Sequence, residues 1–314
     1  MLGITGWKRI DFNHIDVKYL SGKIQSLRNK DGVTSMNIDG LTFLEKSGFQ
    51  LENLSCYFLL NETKMKLDGL KLITNNSNID CRGVQFNYHD LGDFSDFVYA
   101  VDMNIDFNPT RLYVEDLAYF TPIFWGFDKN VKIEGNVNGQ VNDLFIEDLY
   151  LGVSPVTYFK GTGNIKGLPD VENALLYLDI QQLQTSAEDL SRIDFKKFGL
   201  KEDLLIPKEL VTLGVVQIGG IIDGYLNDFK IDMAIKSEMG RVDGFFDVKT
   251  EPSGRVKING GLLTDNANLG KVIGSKDVGY FSSNLTVSLQ YTPGTTILLK
   301  KTKITTLDDI HLEM

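Results

Sequence analysis

The chain has 314 residues, of which 42% are hydrophobic and 24% are charged, a balance that excludes an intrinsically disordered protein. Its formal net charge of −10 argues against nucleic acid as a partner and against flat docking on an anionic bilayer, because both need clustered lysine and arginine. No stretch reaches the roughly 18 apolar residues that span a bilayer, and the first residues lack a signal peptide's apolar core. We therefore expect a middle segment of a longer protein, folded as two domains or as one elongated array.

Alternation of apolar and polar residues dominates the chain. The segment VDMNIDFN, residues 101–108, is an example, since its odd positions are apolar and its even positions are polar. This pattern is typical of a strand with one buried and one solvated face. More than a dozen such runs, separated by Gly, Asn or Asp at intervals of about 8–15 residues, predict antiparallel β-structure.

The first part of the chain contains both cysteines. We expect leading strands of a preceding repeat in 1–48 and a worn repeat with short helices in 49–128. Cys56 and Cys81 each share the parity of apolar neighbours, so both are predicted to face the apolar side. Two buried thiols and one disulfide between neighbouring strands are both compatible with this placement.

Four short helices of one to three turns are predicted, each starting with Asp, Asn or Glu near an apolar residue. They are Asp90–Val98, Glu115–Gly126, Ala187–Phe195 and Asn266–Gly274. The second helix includes most of the aromatic run YFTPIFWGF, residues 119–127. We interpret that run as a plug that seals the edge between two sheet segments, with a lipid or partner contact as the alternative.

Two stretches of the chain repeat each other at an offset of 85 residues, Val131–Asp148 and Val216–Met233. Both carry a V-x-I-x-G-x-V/I-x-G face followed by an Asn-Asp turn. A fixed period without catalytic residues is typical of a stacked array. We predict repeat units at 129–214 and 215–274, and the truncated start of another at 275–314.

A long sheet with one apolar face must pack on a second sheet, close into a barrel, or curl over. Glycine on the inward parity favours curling, since it lets the backbone bend and leaves room in the groove. The predicted fold is therefore all-β, an elongated, curled, mostly antiparallel sheet with an open groove and a few short helices between repeats. The residues predicted to line the groove are Val131, Ile133, Val137, Leu144, Ile146, Val216, Ile218, Ile222, Phe229, Ile231, Met233 and Ile235.

The residues with reactive side chains form no recognisable catalytic or metal site. His14, His89 and His311 lack metal-ligand spacing, and the pair of His89 with a nearby aspartate is interpreted as a strand-end loop. The segment GTGNIKG, residues 161–167, lacks the ending of a phosphate loop. Asp223, Asp228 and Asp232 lack calcium-loop spacing and are interpreted as a solvated strand face. We therefore expect that the protein has no catalytic residue, metal or cofactor and is not an enzyme.

Several phrases of the sequence resemble the repeat region of TamB-like translocation/assembly module proteins, which belong to the AsmA-like superfamily. The phrases span roughly residues 40–290 and are closest in wording to members from Bacteroidota-type bacteria. They include Glu45–Gly83, DFSDF, DLAYFTPIFWGFDKNVKIEGNVNGQVNDLFIEDLYLG, YFKGTGNIKGLPDVEN and GGIIDGYLNDFKID.

The resemblance implies a periplasmic bridge anchored in the inner membrane by an N-terminal helix. Its apolar groove would carry phospholipid acyl chains toward the outer membrane and support outer-membrane assembly with a barrel partner. The anchor and the barrel-contacting C-terminal module are not recognised in this sequence, so both attachments are expected through segments outside it. The family supplies no catalytic residues.

Two other classes of protein are compatible with a β-repeat array. An extracellular or periplasmic stalk or adhesin would have a filled, dry interior and no acyl binding. A parallel β-helix polysaccharide lyase or hydrolase would need a carboxylate cluster on one face and a much shorter repeat than the one found here.

Overall fold

A computed structural model describes residues 10–11, 14–120, 124–170, 173–192, 213–268, 280–291 and 298–305. The chain divides into two compact units, Met1–Val153 and Ser154–Met314, called here the first and second unit. The boundary between these units falls inside the predicted repeat 129–214, and the predicted repeat boundaries stay a prediction.

The described residues of the first unit form eight strands. They are β1 (Val17–Lys30), β2 (Val33–Glu45), β3 (Gln50–Leu60), β4 (Lys64–Thr74), β5 (Asn78–Asn87), β6 (Asp102–Tyr113), β7 (Asn130–Gln140) and β8 (Asp143–Gly152). Within this unit each strand from β1 to β7 pairs antiparallel with the strand that follows it in the sequence. The result is a meander in which strand order in space is strand order in the chain.

The second unit is built in the same way. Its strands are β9 (Tyr158–Lys166), β10 (Leu175–Ser186), β11 (Val215–Tyr225), β12 (Asp228–Ser237), β13 (Gly240–Thr250), β14 (Val256–Asn268), β15 (Tyr280–Tyr291) and β16 (Leu298–Thr305). All consecutive pairs are antiparallel. Among the described residues of each unit the first and last strands do not pair with each other, so each sheet stays open. The predicted all-β, antiparallel fold is confirmed.

In the described residues, three of the four predicted helices correspond to short helical segments. A 3-10 helix, Leu91–Asp96, continues into α1 (Phe97–Ala100), and the Asp90 carboxylate caps it by accepting from the Gly92 N–H. The second predicted helix is a 3-10 helix, Val114–Tyr119, and the third is α2 (Ala187–Ser191). Tight 3-10 hydrogen bonds have poor geometry, which limits such runs to a turn or two.

The fourth predicted helix, Asn266–Gly274, is wrong at its start. Residues Asn266–Asn268 continue β14, where the Asn268 N–H donates to the Met239 carbonyl at 2.6 Å. The remainder of that prediction lies outside the described residues.

A line of bulges crosses the first unit. Six of its seven strand pairings carry register shifts, and consecutive shifts lie opposite one another from Gly22 in β1 to Asp148 in β8. A bulge turns two successive residues toward one partner, so it changes the parity of everything beyond it and increases strand twist.

The apolar residues of the bulged face switch between even and odd positions within a strand. They recur at positions i, i+2, i+5 and i+7. The strands that show this spacing are β2 (Met36, Ile38, Leu41, Phe43), β4 (Met65, Leu67, Leu70, Leu72), β5 (Ile79, Cys81, Val84, Phe86) and β8 (Leu144, Ile146, Leu149, Leu151). Cross-strand pairs such as Leu70↔Cys81 and Leu67↔Val84 place them on one face. The most buried cluster of this face lies on β3–β5 and consists of Cys56, Leu70, Cys81 and Val84.

Both cysteines are free and buried. Cys56 lies on β3 and Cys81 on β5, and the intervening β4 separates them. The open alternative of a disulfide between neighbouring strands is therefore wrong, although both thiols face the apolar side as predicted.

Candidate functional site

The five predicted groove residues of the first unit lie on one sheet face. Val137 pairs with Ile146 across β7 and β8, and Ile133, four residues earlier in β7, pairs with Leu151 beyond the bulge. On the other side of β7, Val131 pairs with Leu112 of β6. Residues paired across antiparallel strands project to the same face, so the register extends this face over β6–β8.

The seven predicted groove residues of the second unit also share one face. Ile218 pairs with Ile235, and Ile222 pairs with Ile231, across β11 and β12. In the same register Met233 and Phe229 pair with glycines of β11. On the other side of β11, Val216 pairs with Thr185 of β10. Each set of groove residues is thus assembled within its own unit.

In each unit this apolar face is neither solvated nor fully enclosed. Of the twelve predicted residues only Ile146, at 7% exposure, is buried, and the other eleven are half-buried. The opposite face is exposed and polar, as Lys132, Glu134, Lys230 and Asp232 illustrate. Apolar side chains between packed sheets are normally excluded from water almost completely, so half-burial indicates a face shielded chiefly by its own neighbours.

An aromatic cluster covers one strand end of this face in the first unit. The rings of Phe94 and Phe97 pack edge-on against Phe86, with centroid separations of 6.0 and 5.8 Å. Tyr88 contacts Phe94 at 5.1 Å and donates a hydrogen bond from its hydroxyl to the Asn61 carbonyl at 2.9 Å. The helical segment from Leu91 to Ala100 is therefore held over the β5 end of the face.

A second aromatic cluster covers the opposite strand end. Tyr119 and Phe120 pack edge-on against Phe49, with centroids 5.4 and 5.5 Å apart. The Ile10 N–H donates to the Tyr119 carbonyl at 3.0 Å and adds a further apolar side chain to the cluster. The predicted aromatic plug, in its described part, is thus a cover over the β2–β3 end of the first unit, although Trp125 stays 41% exposed.

A buried carboxylate anchors this second cover. Asp116, in the 3-10 helix Val114–Tyr119, accepts hydrogen bonds from the Thr74 and Ser77 hydroxyls, both at 2.6 Å. The donors belong to the β4–β5 turn, and the Asn76 amide adds a third bond at 3.2 Å. A buried carboxylate is tolerated when such donors replace its water.

The second unit repeats this arrangement with different residues. Asp189, in α2, accepts from Ser154 Oγ at 2.5 Å and Thr157 Oγ1 at 2.7 Å, both in the segment before β9. Hydrogen bonds from these two hydroxyls hold the pKa of Asp189 below its ordinary value, and the nearby Arg192 adds to the effect. We call each arrangement a carboxylate clamp: Asp116 with Thr74, Asn76 and Ser77, or Asp189 with Ser154 and Thr157.

Sequence reasoning missed both clamps. The available signal was the tripeptide Glu-Asp-Leu after a strand, at 115–117 and again at 188–190. Each copy lies two strands after a segment with hydroxyl residues three apart, Thr74 with Ser77 and Ser154 with Thr157. Such residues bond locally to backbone as well as to carboxylates, which makes the pattern ambiguous in sequence alone.

The glycines of the repeated motif do not leave room in a groove, so that expectation was wrong. Gly135 and Gly220 have φ values of 117° and 146°, a conformation that L side chains rarely adopt. A Cβ on Gly220 would lie 2.1 Å from the Asp232 carbonyl oxygen, and one on Gly135 would lie 2.5 Å from that of Asp148. The facing strand fills the space, and glycine permits its close approach.

The described part of the chain contains no cluster suited to a metal. Nowhere among these residues do three His, Cys, Asp or Glu side chains gather closely enough to bind an ion. His14 and His89 are exposed and each contacts one aspartate, Asp11 at 3.0 Å and Asp93 at 3.2 Å. His311 lies outside the described residues.

None of the described helices has the length and apolar character needed to cross a membrane.

Comparison with protein-family models, with curated proteins and with solved structures finds no match for this chain.

Proposed function

We propose that this chain binds phospholipid acyl chains on its apolar sheet face, as a segment of a TamB-like periplasmic bridge between the inner and outer membranes. The observation that supports the proposal is the half-burial of eleven of the twelve residues predicted for that face. A face in this state can cover a flexible apolar chain, and the chain would in turn remove the remaining apolar surface from water.

The energy available from such binding is large for a lipid. Each buried methylene contributes about 0.8 kcal/mol, so even a partly covered acyl chain gains several kcal/mol. The charged head group would stay in water at the rim, since burying an unpaired charge is costly. Among the residues that the structure describes, the polar groups concentrate on the opposite face, which leaves the apolar face suited to chains and not to head groups.

Attachment and direction of transport belong to the same proposal. A TamB-like bridge is held by an inner-membrane anchor and works with a barrel protein of the outer membrane. Both interactions would involve segments other than the apolar face, so lipid binding can be tested without them.

The test is site-specific photo-crosslinking to lipid in vivo, using two adjacent positions. Ile222 lies on the apolar face, whereas Ile221 lies on the opposite face with 40% exposure. A photoreactive residue at 222, or at 133 in the first unit, should capture phospholipid, and one at 221 should not. Equal capture at 221 and 222, or none at either, would reject the proposal in favour of a stalk without lipid.

The variant Ile218→Asp separates the open face from a dry core. On an open face its carboxylate reaches water, so the melting temperature should change little while crosslinking at 222 falls. In a dry core the same change would bury an unpaired charge and cost several kcal/mol. Unfolding of Ile218→Asp, without lipid captured by the unsubstituted protein, would support the stalk.

A further inference from the structure

The two aromatic covers of the first unit differ in how deeply they are packed. The first cover is the segment Leu91–Ala100, and neither of its helical parts contains a buried residue. The second cover is built on the helix Val114–Tyr119, which contains two buried residues, Asp116 and Ala118, at 7% and 2% exposure. Because tertiary packing supplies most of the stability of a short helix, the first cover is the more weakly held of the two.

Hydrogen bonds separate the two covers in the same way. In the second cover, Asp116 accepts three side-chain hydrogen bonds from the β4–β5 turn. Within the described residues, the first cover is tied to the β7–β8 turn by one neutral bond, from the Asn142 N–H to the Val98 carbonyl at 3.2 Å. A bond to a charged acceptor is stronger than a bond between neutral groups, so the second cover is also the more firmly bonded.

A buried unpaired oxygen lies at the residue that the first cover contacts. Asn142 Oδ1 is shielded from water and has no hydrogen-bond partner among the described residues. Such an oxygen is unfavourable, because it has lost its water without gaining a donor. Since the first cover contacts Asn142 directly, displacing the cover would let water reach this residue and remove part of that cost.

The ends of the first cover are fixed, whereas its middle is not. Tyr88 precedes the cover and Val101 follows it, and these two residues are 6% and 0% exposed. Between them Phe94 and Phe97 are only half-buried, and their rings pack edge-on against Phe86 of the apolar face. The segment can therefore move as a loop between two fixed points, and another apolar group can take the place of its rings.

We propose that the first cover opens to admit an acyl chain to the apolar face beneath it, whereas the second cover is a fixed end of that face. The inference rests on the proposed function, since it assigns the point of entry of the same acyl chain. In the closed state the rings of Phe94 and Phe97 occupy the place beside Phe86 that the acyl chain takes when the cover opens. The chain then also contacts Ile105, which pairs with Val84 in the next row of the face.

The test ties the first cover shut with a disulfide and measures lipid capture beneath it. The variant Val98→Cys/Asn142→Cys places cysteines at two positions joined by a backbone hydrogen bond, close enough for a disulfide. A photoreactive residue at 105 should capture phospholipid about tenfold less in the oxidised protein than after reduction, because the disulfide removes the open population. Capture at 222, in the second unit, should be the same in both states.

The matched control places a disulfide at the same strand end without tethering the cover. The variant Lys64→Cys/Asn87→Cys joins a cross-strand pair of β4 and β5, and its oxidation should leave capture at 105 unchanged. The native Cys56 and Cys81 are buried and free. Mass spectrometry of peptides from both variants confirms that the introduced cysteines have paired with each other.

A second pair of variants tests the cover without a disulfide. Phe94→Ala/Phe97→Ala removes the rings that hold the cover closed, so capture at 105 should rise as the open population grows. Leu91→Ala/Tyr99→Ala removes two side chains of the same segment that are more than half exposed, and it should leave capture unchanged. Circular dichroism checks that both variants fold.

Hydrogen exchange compares the two covers in the purified protein without lipid. Amides of Leu91–Ala100 should exchange faster than those of Val114–Tyr119, because local opening exposes the first cover and the carboxylate clamp holds the second.

Four outcomes would overturn the proposal. Equal capture at 105 in the oxidised and reduced Val98→Cys/Asn142→Cys protein, with capture at 222 retained, would reject the moving cover and leave lipid binding intact. A fall in capture in the Phe94→Ala/Phe97→Ala variant would assign the two rings to the lipid site itself. Equal protection of the two covers in hydrogen exchange would show that both are fixed. Failure to capture lipid at 105, 133 and 222 alike would reject the proposed function, and the inference with it.

Discussion

At the scale of single residues, the two carboxylate clamps fix short helices to β-structure from which they are distant in sequence. Asp116 reaches Thr74 across 42 positions, and Asp189 reaches Ser154 across 35. Helices of one or two turns have little intrinsic stability, so tertiary contacts must hold them. The clamp in the first unit also holds Tyr119 over the apolar face. The hydrogen bonds of Asp116 therefore help to keep the aromatic cover in place at that strand end.

Asp189→Asn should lower the free energy of unfolding by about 1–2 kcal/mol, because charged acceptors make stronger hydrogen bonds than neutral amides. Chemical denaturation of both proteins at neutral pH measures the difference. Asp223→Asn is the control, since it removes one exposed carboxylate from β11. Equal losses in the two variants would show that the Asp189 clamp adds no stability of its own.

The contribution of Asp189 should also depend on pH. Because its pKa is lowered in the folded state, its stabilisation is complete above the ordinary aspartate pKa and disappears as pH falls through the lower folded value. The stability difference between the unsubstituted protein and Asp189→Asn should therefore be constant near neutrality and shrink below about pH 4. A difference that grew on acidification would contradict this assignment.

The two thiols should differ in reactivity in the native protein. Burial raises the pKa of Cys56, and burial together with Asp80 and Asp106 raises the pKa of Cys81 to about 12. Thiolate is the reactive form, so Cys81 should react more slowly than Cys56 with a disulfide reagent. The variant Cys56→Ser shows which kinetic phase of the reaction belongs to which thiol. In the unfolded protein without reductant, two thiols should titrate. A count of zero would indicate a disulfide.

At the scale of strands, the close approach of neighbouring backbones explains the repeated glycines. Gly139 and Gly224 resemble Gly135 and Gly220, since each has a positive φ and a Cβ there would lie 2.4 Å from a facing carbonyl oxygen. A side chain at any of these positions would force β7 from β8 or β11 from β12. The glycines therefore maintain strand pairing, and the apolar positions between them form the face.

Gly220→Ala should destabilise the second unit by about 3 kcal/mol or more, because it adds a backbone clash to an unfavourable φ. Gly254→Ala is the matched control: Gly254 also has a positive φ, 77°, but a Cβ there meets nothing within 4 Å. The control should lose only about 1–2 kcal/mol. Thermal unfolding monitored by circular dichroism compares them, and similar losses would mean that φ alone matters.

Alternation in the sequence was sufficient to predict the antiparallel strands, and within each unit the residues predicted for the groove share one sheet face. It failed where strands bulge, since a strict period of two places Leu149 and Leu151 on the wrong side of β8 although Leu149 is 5% exposed. It also failed at Asn266, where a helix-like start continues a strand. Alternation could not predict the carboxylate clamps. They depend on which turn meets which helix in space, and local sequence patterns do not encode these long-range contacts.

At the scale of the whole molecule, protection should vary strongly between strands. Backbone amides of β4 and β5, which are paired on both sides and carry the buried cluster around Leu70 and Cys81, should exchange slowest. Those of β1 should exchange fastest within the first unit, because that strand is exposed throughout. Hydrogen exchange with mass spectrometry resolves them, and uniform protection from β1 to β8 would contradict the expected gradient.

The meander topology has a consequence for how the chain can be made. Because every strand of a unit pairs with its neighbours in sequence, each new hairpin finds its docking edge already formed by residues that left the ribosome or a translocation pore just before it. No strand must wait for a distant segment to be synthesised, so loop-closure entropy stays small and the order of folding can follow the order of emergence. Longer delays apply to the covers and to the carboxylate clamps: each clamp must wait until two further strands have appeared before its aspartate arrives, and the packing of Tyr119 on Phe49 must wait longer still. Vectorial assembly of this kind would let a unit grow strand by strand, with its current edge always the youngest part of the chain.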